Sequence, residues 1–266
     1  MQIAVAQFTA GMDKPANLAR VRDLAEQAAD AGAELVIAPE GAMHDFGPPD
    51  VPLAPVAESL EGPFVSGLAE VASRRGITVV AGMFESVDGD PSRAYNTVVA
   101  IGPAGELIGH YRKQHLFDAL GWKESDRLVA GRPGDRLVFD CGEFRVGVLT
   151  CYDIRFPELT RALIDDGVTL LAIPTAWVAG PLKARQFRTL ATARAIENVC
   201  YLAAAVQGPP TYTAESCILA PFGEVVAEVG GAEGVAVGEI SAQQVKSSRE
   251  RMPSLAHRRW RVVPVD

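Results

Sequence analysis

Three ionisable side chains, each directly behind a run of strand-like sequence, carry most of the chemistry this chain can offer. Glu40 follows LVIAP, Lys113 follows LIGHYR and Cys151 follows FRVGVLT. In α/β sheets the crevice beyond the carboxyl ends of strands is where ligands bind. An unpaired carboxylate, ammonium or thiol is costly to hold there, so mutual proximity is the economical arrangement. Together the three types suit nucleophilic catalysis: a thiol attacks, a carboxylate takes its proton, and an ammonium steadies the anion that forms. Singly, each has a plainer reading. A lone cysteine after a strand commonly fills core, a glutamate can cap a neighbouring helix, and a lysine can snorkel to solvent.

The elements that must position these groups are legible as periodicity and punctuation. Gln2–Phe8, Leu35–Ala38, Ile77–Met83, Ala94–Ile101 and Leu107–Arg112 are apolar enough for strands. Helical spacing covers Lys14–Ala31 and Pro63–Arg75, stopped by Gly32 and Gly76. The stretch GAMHDFGPPDVPLAP and the polar segment Gln114–Pro133 read as ordered loops. Arg136–Asp140 and Phe144–Thr150 form a hairpin about Gly142. Glu158–Asp166 and Leu182–Asn198 are expected helices. Val168–Ile173, Cys200–Val206, Ser216–Ala220, Val225–Val229 and Val235–Ile240 are expected strands. Ser241 and Gln244 have capping-box spacing for a last short helix. Alternating strands and helices mixed with hairpins give an α/β chain with mixed sheets. Two pairs of segments also echo each other: ADAGAELVIAPE with IDDGVTLLAIPT, and NTVVAIGPAGEL with SCILAPFGEV. The echoes suggest two similar β-rich halves packed face to face, with helices outside, although such punctuation also recurs in ordinary α/β chains.

Composition narrows the functional classes. With 48% apolar and 22% charged residues, 266 residues suit one soluble domain spanning 1–266, with 241–266 as its C-terminal tail. A net charge of −8 argues against nucleic acid as partner, and the basic run Arg249–Arg261 reads as a solvated or subunit-facing tail. No signal peptide or membrane-spanning run is evident, so a cytoplasmic location is expected. Cys141, Cys151, Cys200 and Cys217 are scattered without metal-ligand spacing, so free thiols are expected and no metal.

The contexts VIAPEGA, GHYRKQHLFD and GVLTCYDIRFPEL resemble the three signature segments of the nitrilase (carbon–nitrogen hydrolase) superfamily; WKESDRLVAGRPG and TARAIENVCYLAAA are similar to two more. The resemblance runs from the first strand to Ile240. It implies a four-layer α-β-β-α sandwich of two mixed sheets that dimerises through its outer helices, and a catalytic triad at Glu40, Lys113 and Cys151. Glu124 corresponds more loosely to a further family glutamate. CYDIRFPE looks like the amidase branch that includes ω-amidase and deaminated-glutathione amidase. Carbamoyl hydrolases share the triad, while nitrilases usually carry tryptophan where Tyr152 stands. Many relatives place His-Trp where this chain has Gln186-Phe187.

The reaction so implied is hydrolysis of a small amide, without cofactor. Glu40 acts as base, Cys151 attacks, Lys113 and the Tyr152 N–H hold the oxyanion, and a thioester is hydrolysed with Glu40 and Glu124 assisting. Arg155 is a candidate for binding a substrate carboxylate, or else forms a salt bridge to Glu158 or Asp153. Trp177 and Phe117 are candidate pocket walls or core. Rival readings are a Cys-His thiol hydrolase using His115, an N-carbamoyl hydrolase, a nitrilase, and an idle scaffold subunit. Of the other histidines, His44 is placed at the pocket mouth and His110 on the outside of a strand.

Overall fold

The computed structural model describes residues 1–264, so Val265 and Asp266 of the expected tail lie outside the described residues. The first half runs β1 (Gln2–Gln7), α1 (Lys14–Asp30), β2 (Leu35–Ile37), α2 (Pro63–Arg75), β3 (Thr78–Val87), β4 (Asp90–Ile101) and β5 (Leu107–Arg112), with a short β6 (Leu128–Val129). The second half runs β7 (Val138–Cys141), β8 (Phe144–Val148), α3 (Pro157–Asp165), β9 (Leu170–Thr175), α4 (Lys183–Asn198), β10 (Tyr201–Val206), β11 (Cys217–Leu219) and β12 (Val225–Glu228). β13 (Gly234–Glu239) and α5 (Ala242–Arg251) follow.

The two halves share one topology. In the first sheet β1, β2 and β3 are parallel neighbours, then β4 and β5 continue antiparallel. The second repeats this as β8, β9, β10, β11 and β12. The echoing segments occupy matching places: the helix–strand pairs α1–β2 and α3–β9, and the hairpins β4–β5 and β11–β12. Each sheet gains one antiparallel strand beyond the repeat, β13 beside β1 and β7 beside β8.

Side-chain alternation along the strands sets the layers. From the first sheet Ile3, Val5, Leu35 and Ile37 enter a core shared with the second sheet and with Leu163, Phe187 and Ala191 of its helices. The intervening Ala4, Ala6 and Val36 face Val21, Leu24, Leu68 and Val71 of α1 and α2. The order is therefore helices, sheet, sheet, helices, as the sequence implied.

Three local expectations change. β3 and β4 run well past Met83 and before Ala94, pairing as far as Val87 and Asp90 around Gly89, whose φ is +77°. That hairpin tip is largely solvated and carries no apolar alternation, so the pattern did not extend to it. At α5, Ser241 accepts from the Gln244 N–H, but the reciprocal half of the capping box is absent. The Gln244 side chain instead accepts from the Tyr201 hydroxyl, which in turn takes the Ser241 N–H. The basic run is also not wholly solvated. Arg249 donates to the carbonyls of Val199 and Val168, and Arg258 pairs with Asp165. Trp260 remains exposed.

Candidate active site

Glu40 enters from the end of β2, and the backbone that carries it lies hard against β3. A Cβ on Gly82 would sit 2.6 Å from Glu40 Cα and 2.7 Å from Gly41 N, so only glycine permits this approach. The carboxylate is fully buried and held from three directions. Asn96 Nδ2 donates to Oε1 at 2.7 Å, Lys113 Nζ reaches the same oxygen at 3.0 Å, and the Ala176 N–H donates to Oε2 at 2.7 Å. Gln207 fixes the backbone by donating to the Glu40 carbonyl at 2.9 Å.

Lys113 follows β5, its own N–H donating to Asn96 O and its carbonyl accepting from Gly131. The ammonium is 1% exposed and bridges two carboxylates, meeting Glu124 at 2.9 and 3.1 Å as well as Glu40. Glu124 opens a single 3-10 turn (Glu124–Asp126) and is fixed further by the Phe117 N–H at 2.8 Å. The looser of the sequence assignments is thus a direct partner of Lys113.

Cys151 begins another 3-10 turn (Cys151–Arg155) with φ of +46°, a left-handed conformation that a non-glycine residue adopts only under constraint. The constraint is visible. Thr150 donates its hydroxyl to Pro174 O at 2.7 Å and its N–H to Asp153 Oδ2 at 3.0 Å. Asp153, fully buried, also receives the Tyr111 hydroxyl at 2.8 Å, while His115 Nδ1 lies 2.7 Å from its other oxygen. One carboxylate therefore ties the cysteine turn to β5 and to the loop behind Lys113.

The electrostatics follow from two carboxylates and one ammonium in a dry site. Burial pushes the Cys151 thiol well above its ordinary range; Glu40 and Glu124 push the same way, and Lys113 opposes them. The sequence argument that a nearby ammonium favours the thiolate is therefore outweighed by burial and the carboxylates. For Lys113, burial alone would disfavour the ammonium, but Glu124 and Glu40 override it and raise its pKa well above the usual value. Burial raises Glu124, partly offset by Lys113. Burial and the two carboxylates thus favour the neutral thiol over the thiolate here.

Beside Glu40, Lys113 and Cys151 lies a pocket of about 60 Å³, lined among others by Cys151, Glu124, Tyr152, Phe117 and Trp177. Tyr152, Phe117 and Trp177 are thus at the pocket as expected; Trp177 is also core, 5.3 Å from Phe187. Arg155 is not part of the lining. Its guanidinium lies 4.8 Å over the Trp177 ring and donates to Gln186 at 2.9 Å, so neither expected salt bridge forms: Asp153 is already engaged by Tyr111, His115 and Thr150. His44 is buried against the Asp45 carbonyl at 2.6 Å instead of at the mouth. His115 stacks on Phe156 with ring centroids 3.7 Å apart, outside the pocket lining, and His110 is exposed on β5. Among the described residues no group of three or more His, Cys, Asp or Glu side chains is placed to hold a metal ion.

Several site residues were missed in the sequence. Asn96 is a polar residue in the otherwise apolar TVVAI strand context, and Gln207 follows AAAV just as Glu40 follows LVIAP. Those signals were present. Lys183 lines the pocket from the start of α4 and had no signal beyond its charge.

Comparison with known proteins shows what the chain is similar to. The carbon-nitrogen hydrolase family profile matches residues 2–250. A hydrolase of Mycobacterium tuberculosis is 40% identical over 96% of this chain and 94% of its own. Deaminated glutathione amidase of Escherichia coli O157:H7 is 33% identical over 98% of both chains. An ω-amidase of Xenopus laevis is 35% identical over 97% of this chain and 95% of its own. Among solved structures, an amidase mutant from Nesterenkonia sp. AN1 superposes with a TM-score of 0.79 at 27% identity. It covers 96% of this chain and 99% of that one, and shows Michael addition of acrylamide at its active-site cysteine.

Proposed function

The chain belongs to the carbon–nitrogen hydrolase family, and on that premise we propose that Cys151, Glu40, Lys113 and Glu124 form its amidase machinery. The observation that carries the assignment is the single buried ammonium of Lys113, shared between Glu40 and Glu124 beside the Cys151 thiol.

In this reading Glu40 accepts the thiol proton while sulfur attacks the amide carbon. The alternative, a standing thiolate, would add a second net negative charge to a buried site whose two carboxylates already outnumber its one ammonium. The developing oxyanion is met by Lys113 and by the N–H of Tyr152, the residue after the nucleophile. Glu40 returns the proton to the departing amide nitrogen, so collapse expels ammonia and leaves a thioester. Water, deprotonated by Glu40, then attacks the acyl carbon and releases the acid, restoring the thiol. Glu124 holds Lys113 at its station throughout. His115 serves as a positioning residue through Asp153.

The cell-level reading is a cytoplasmic enzyme of one catalytic domain that pairs with a second copy. No helix among the described residues is long and apolar enough to cross a membrane. Ile196 of α4 and the tail residues Trp260 and Val263 are exposed apolar groups that a second copy could cover. Light scattering on the purified chain tests this, and a monomer at micromolar concentration refutes it.

Ammonia release from short aliphatic amides, N-carbamoyl amino acids and nitriles tests the chemistry. Turnover of the amides, an acyl adduct mass on Cys151, and loss of both in Cys151→Ala are expected. Preferential release of carbon dioxide with ammonia would indicate a carbamoyl hydrolase, and turnover of nitriles alone a nitrilase. Silence across the panel with no adduct would leave a scaffold subunit.

A further inference from the structure

Arg127 is a buried cation to which the catalytic cycle gives no task. It is 6% exposed, and burial holds its pKa below the ordinary arginine value against the pull of Glu124, Asp45 and Asp50. Its hydrogen bonds go to backbone: Nη1 donates to the carbonyls of Phe46, Pro48 and Val51 at 2.9, 3.0 and 3.0 Å. Taking a guanidinium out of water is costly, and three carbonyls of one short loop are what answer it. That loop, the Pro-rich stretch behind Glu40, is poorly able to hold itself. Pro48 and Pro49 have no N–H to donate, and residues 48–52 are exposed. Its ends are fixed separately. Asp45 accepts the Gly47 N–H at 2.8 Å and the Tyr212 hydroxyl at 2.7 Å, and Leu53 is buried.

The post on the other side is rigid. The Arg127 N–H donates to Glu124 O at 2.9 Å, its carbonyl accepts from Ala94 of β4 at 3.1 Å, and β6 begins at the next residue. The turn that presents Glu124 to Lys113 thus presents Arg127 to the loop three residues later. Phe46 and Gly47 line the pocket, whose 60 Å³ has room for roughly four to six water-sized groups. We infer that Arg127 latches residues 46–51 down as a strap over the pocket, keeping the site small and dry and limiting the acyl chain that is turned over well. The consequence for acyl chains rests on the amidase reading; the latch rests on the geometry alone. Arg127 acts through the strap and is a positioning residue. Releasing the strap lets water screen the charges around Lys113, which penalises every amide, while the added room favours the longer ones.

The test compares acetamide with hexanamide in the wild type and in Arg127→Met. The ratio of kcat/KM for hexanamide over acetamide should rise about tenfold or more in the variant, with acetamide losing the more. Hydrogen exchange at the amides of Gly47 and Val51 should quicken about tenfold or more, the scale of one hydrogen bond to a charged group, while β3 amides keep their wild-type rates. Arg127→Gln keeps one NH2 group and should fall between; it decides the matter if Arg127→Met does not fold. An unchanged ratio, unchanged exchange at Gly47 and Val51, or faster exchange spread over the whole chain overturns the inference and leaves the amidase reading intact. If the wild type turns over neither amide, which bears on the amidase reading alone, alkylation of Cys151 decides instead. The rate with N-phenylmaleimide relative to iodoacetamide should then rise about tenfold in the variant, and a wild-type ratio overturns the latch.

Discussion

Replacing Glu124 by glutamine should make Cys151 more reactive toward alkylation and less able to turn over substrate. Glu124 contributes two contacts to Lys113, at 2.9 and 3.1 Å, and accepts the Phe117 N–H at 2.8 Å. An amide of the same shape retains one acceptor oxygen but turns an NH2 group toward a cation or an N–H donor, so at least one charge-assisted hydrogen bond is lost. At about 1.5–3 kcal/mol for a bond to a charged group, kcat/KM should drop roughly 10- to 150-fold. The thiol moves the other way. Glu124 is one of the groups holding the Cys151 pKa up, after burial and Glu40, and Lys113 remains tethered to Glu40 at 3.0 Å. Removing one negative charge therefore favours the thiolate. The assay is the pH profile of iodoacetamide alkylation of Cys151 without substrate, read by mass spectrometry beside amide turnover. In the wild type the rate should still be climbing above the ordinary thiol pKa of about 8.5. In Glu124→Gln the midpoint should shift to lower pH. A midpoint unchanged or raised, with activity reduced, would refute the charge argument and reduce Glu124 to a packing role.

Gly82→Ala should damage both fold and activity, because its Cβ would meet the Glu40 and Gly41 backbone at 2.6 and 2.7 Å, neither of which can rotate away. A destabilisation of about 1–3 kcal/mol in urea unfolding is expected, with turnover lost beyond what unfolding explains; wild-type values for both would contradict the described approach of β3 to Glu40. Asn96→Ala removes the 2.7 Å donor to Glu40 and should cost about tenfold or more in kcat/KM, with the Cys151 alkylation profile reporting any change in the carboxylate's charge. His115→Asn keeps a donor for Asp153 and should lower turnover by no more than about tenfold; a loss equal to that of Cys151→Ala would revive histidine as the base.

The sequence revealed the layers because strand burial here is extreme. Stretches such as LVIAP and LLAIPT are apolar on both faces, which is what strands covered by helices and by a second sheet require. It singled out Glu40, Lys113 and Cys151 through their contexts' resemblance to family segments, with Glu40 and Cys151 ending buried strands and Lys113 the half-exposed LIGHYR. It did not reveal which polar residues serve them, since a hydrogen bond between β4 and β2, or from Ala176 to Glu40, depends on strand order and on how the sheets dock. Asp153 shows the limit. Its position two residues after Cys151 suggested a partner for Arg155, yet Tyr111 and His115 arrive from 42 and 38 residues away and occupy it first. The β3–β4 tip escaped for a different reason, being solvated and so without the alternation that marks a buried strand.

The repeated topology explains why the site cannot form within either half. Glu40 and Thr175 close the matching segments ELVIAPE and TLLAIPT, at the ends of β2 and β9. At that level the N–H of Ala176, just beyond Thr175, enters the carboxylate of Glu40, while Asn96 and Lys113 supply the donors from the first half. Cys151 is delivered by β8, and its strained turn is anchored through Thr150 to Pro174 of β9 and through Asp153 to Tyr111 of β5. Separated sheets would leave Glu40 without the Ala176 N–H and Asp153 without Tyr111 and His115, and water would have to replace them. Burial of these charges is tolerable only once both sheets have docked. Docking therefore both completes the shared apolar core and creates the dry, preorganised environment in which a neutral thiol beside a buried carboxylate can react.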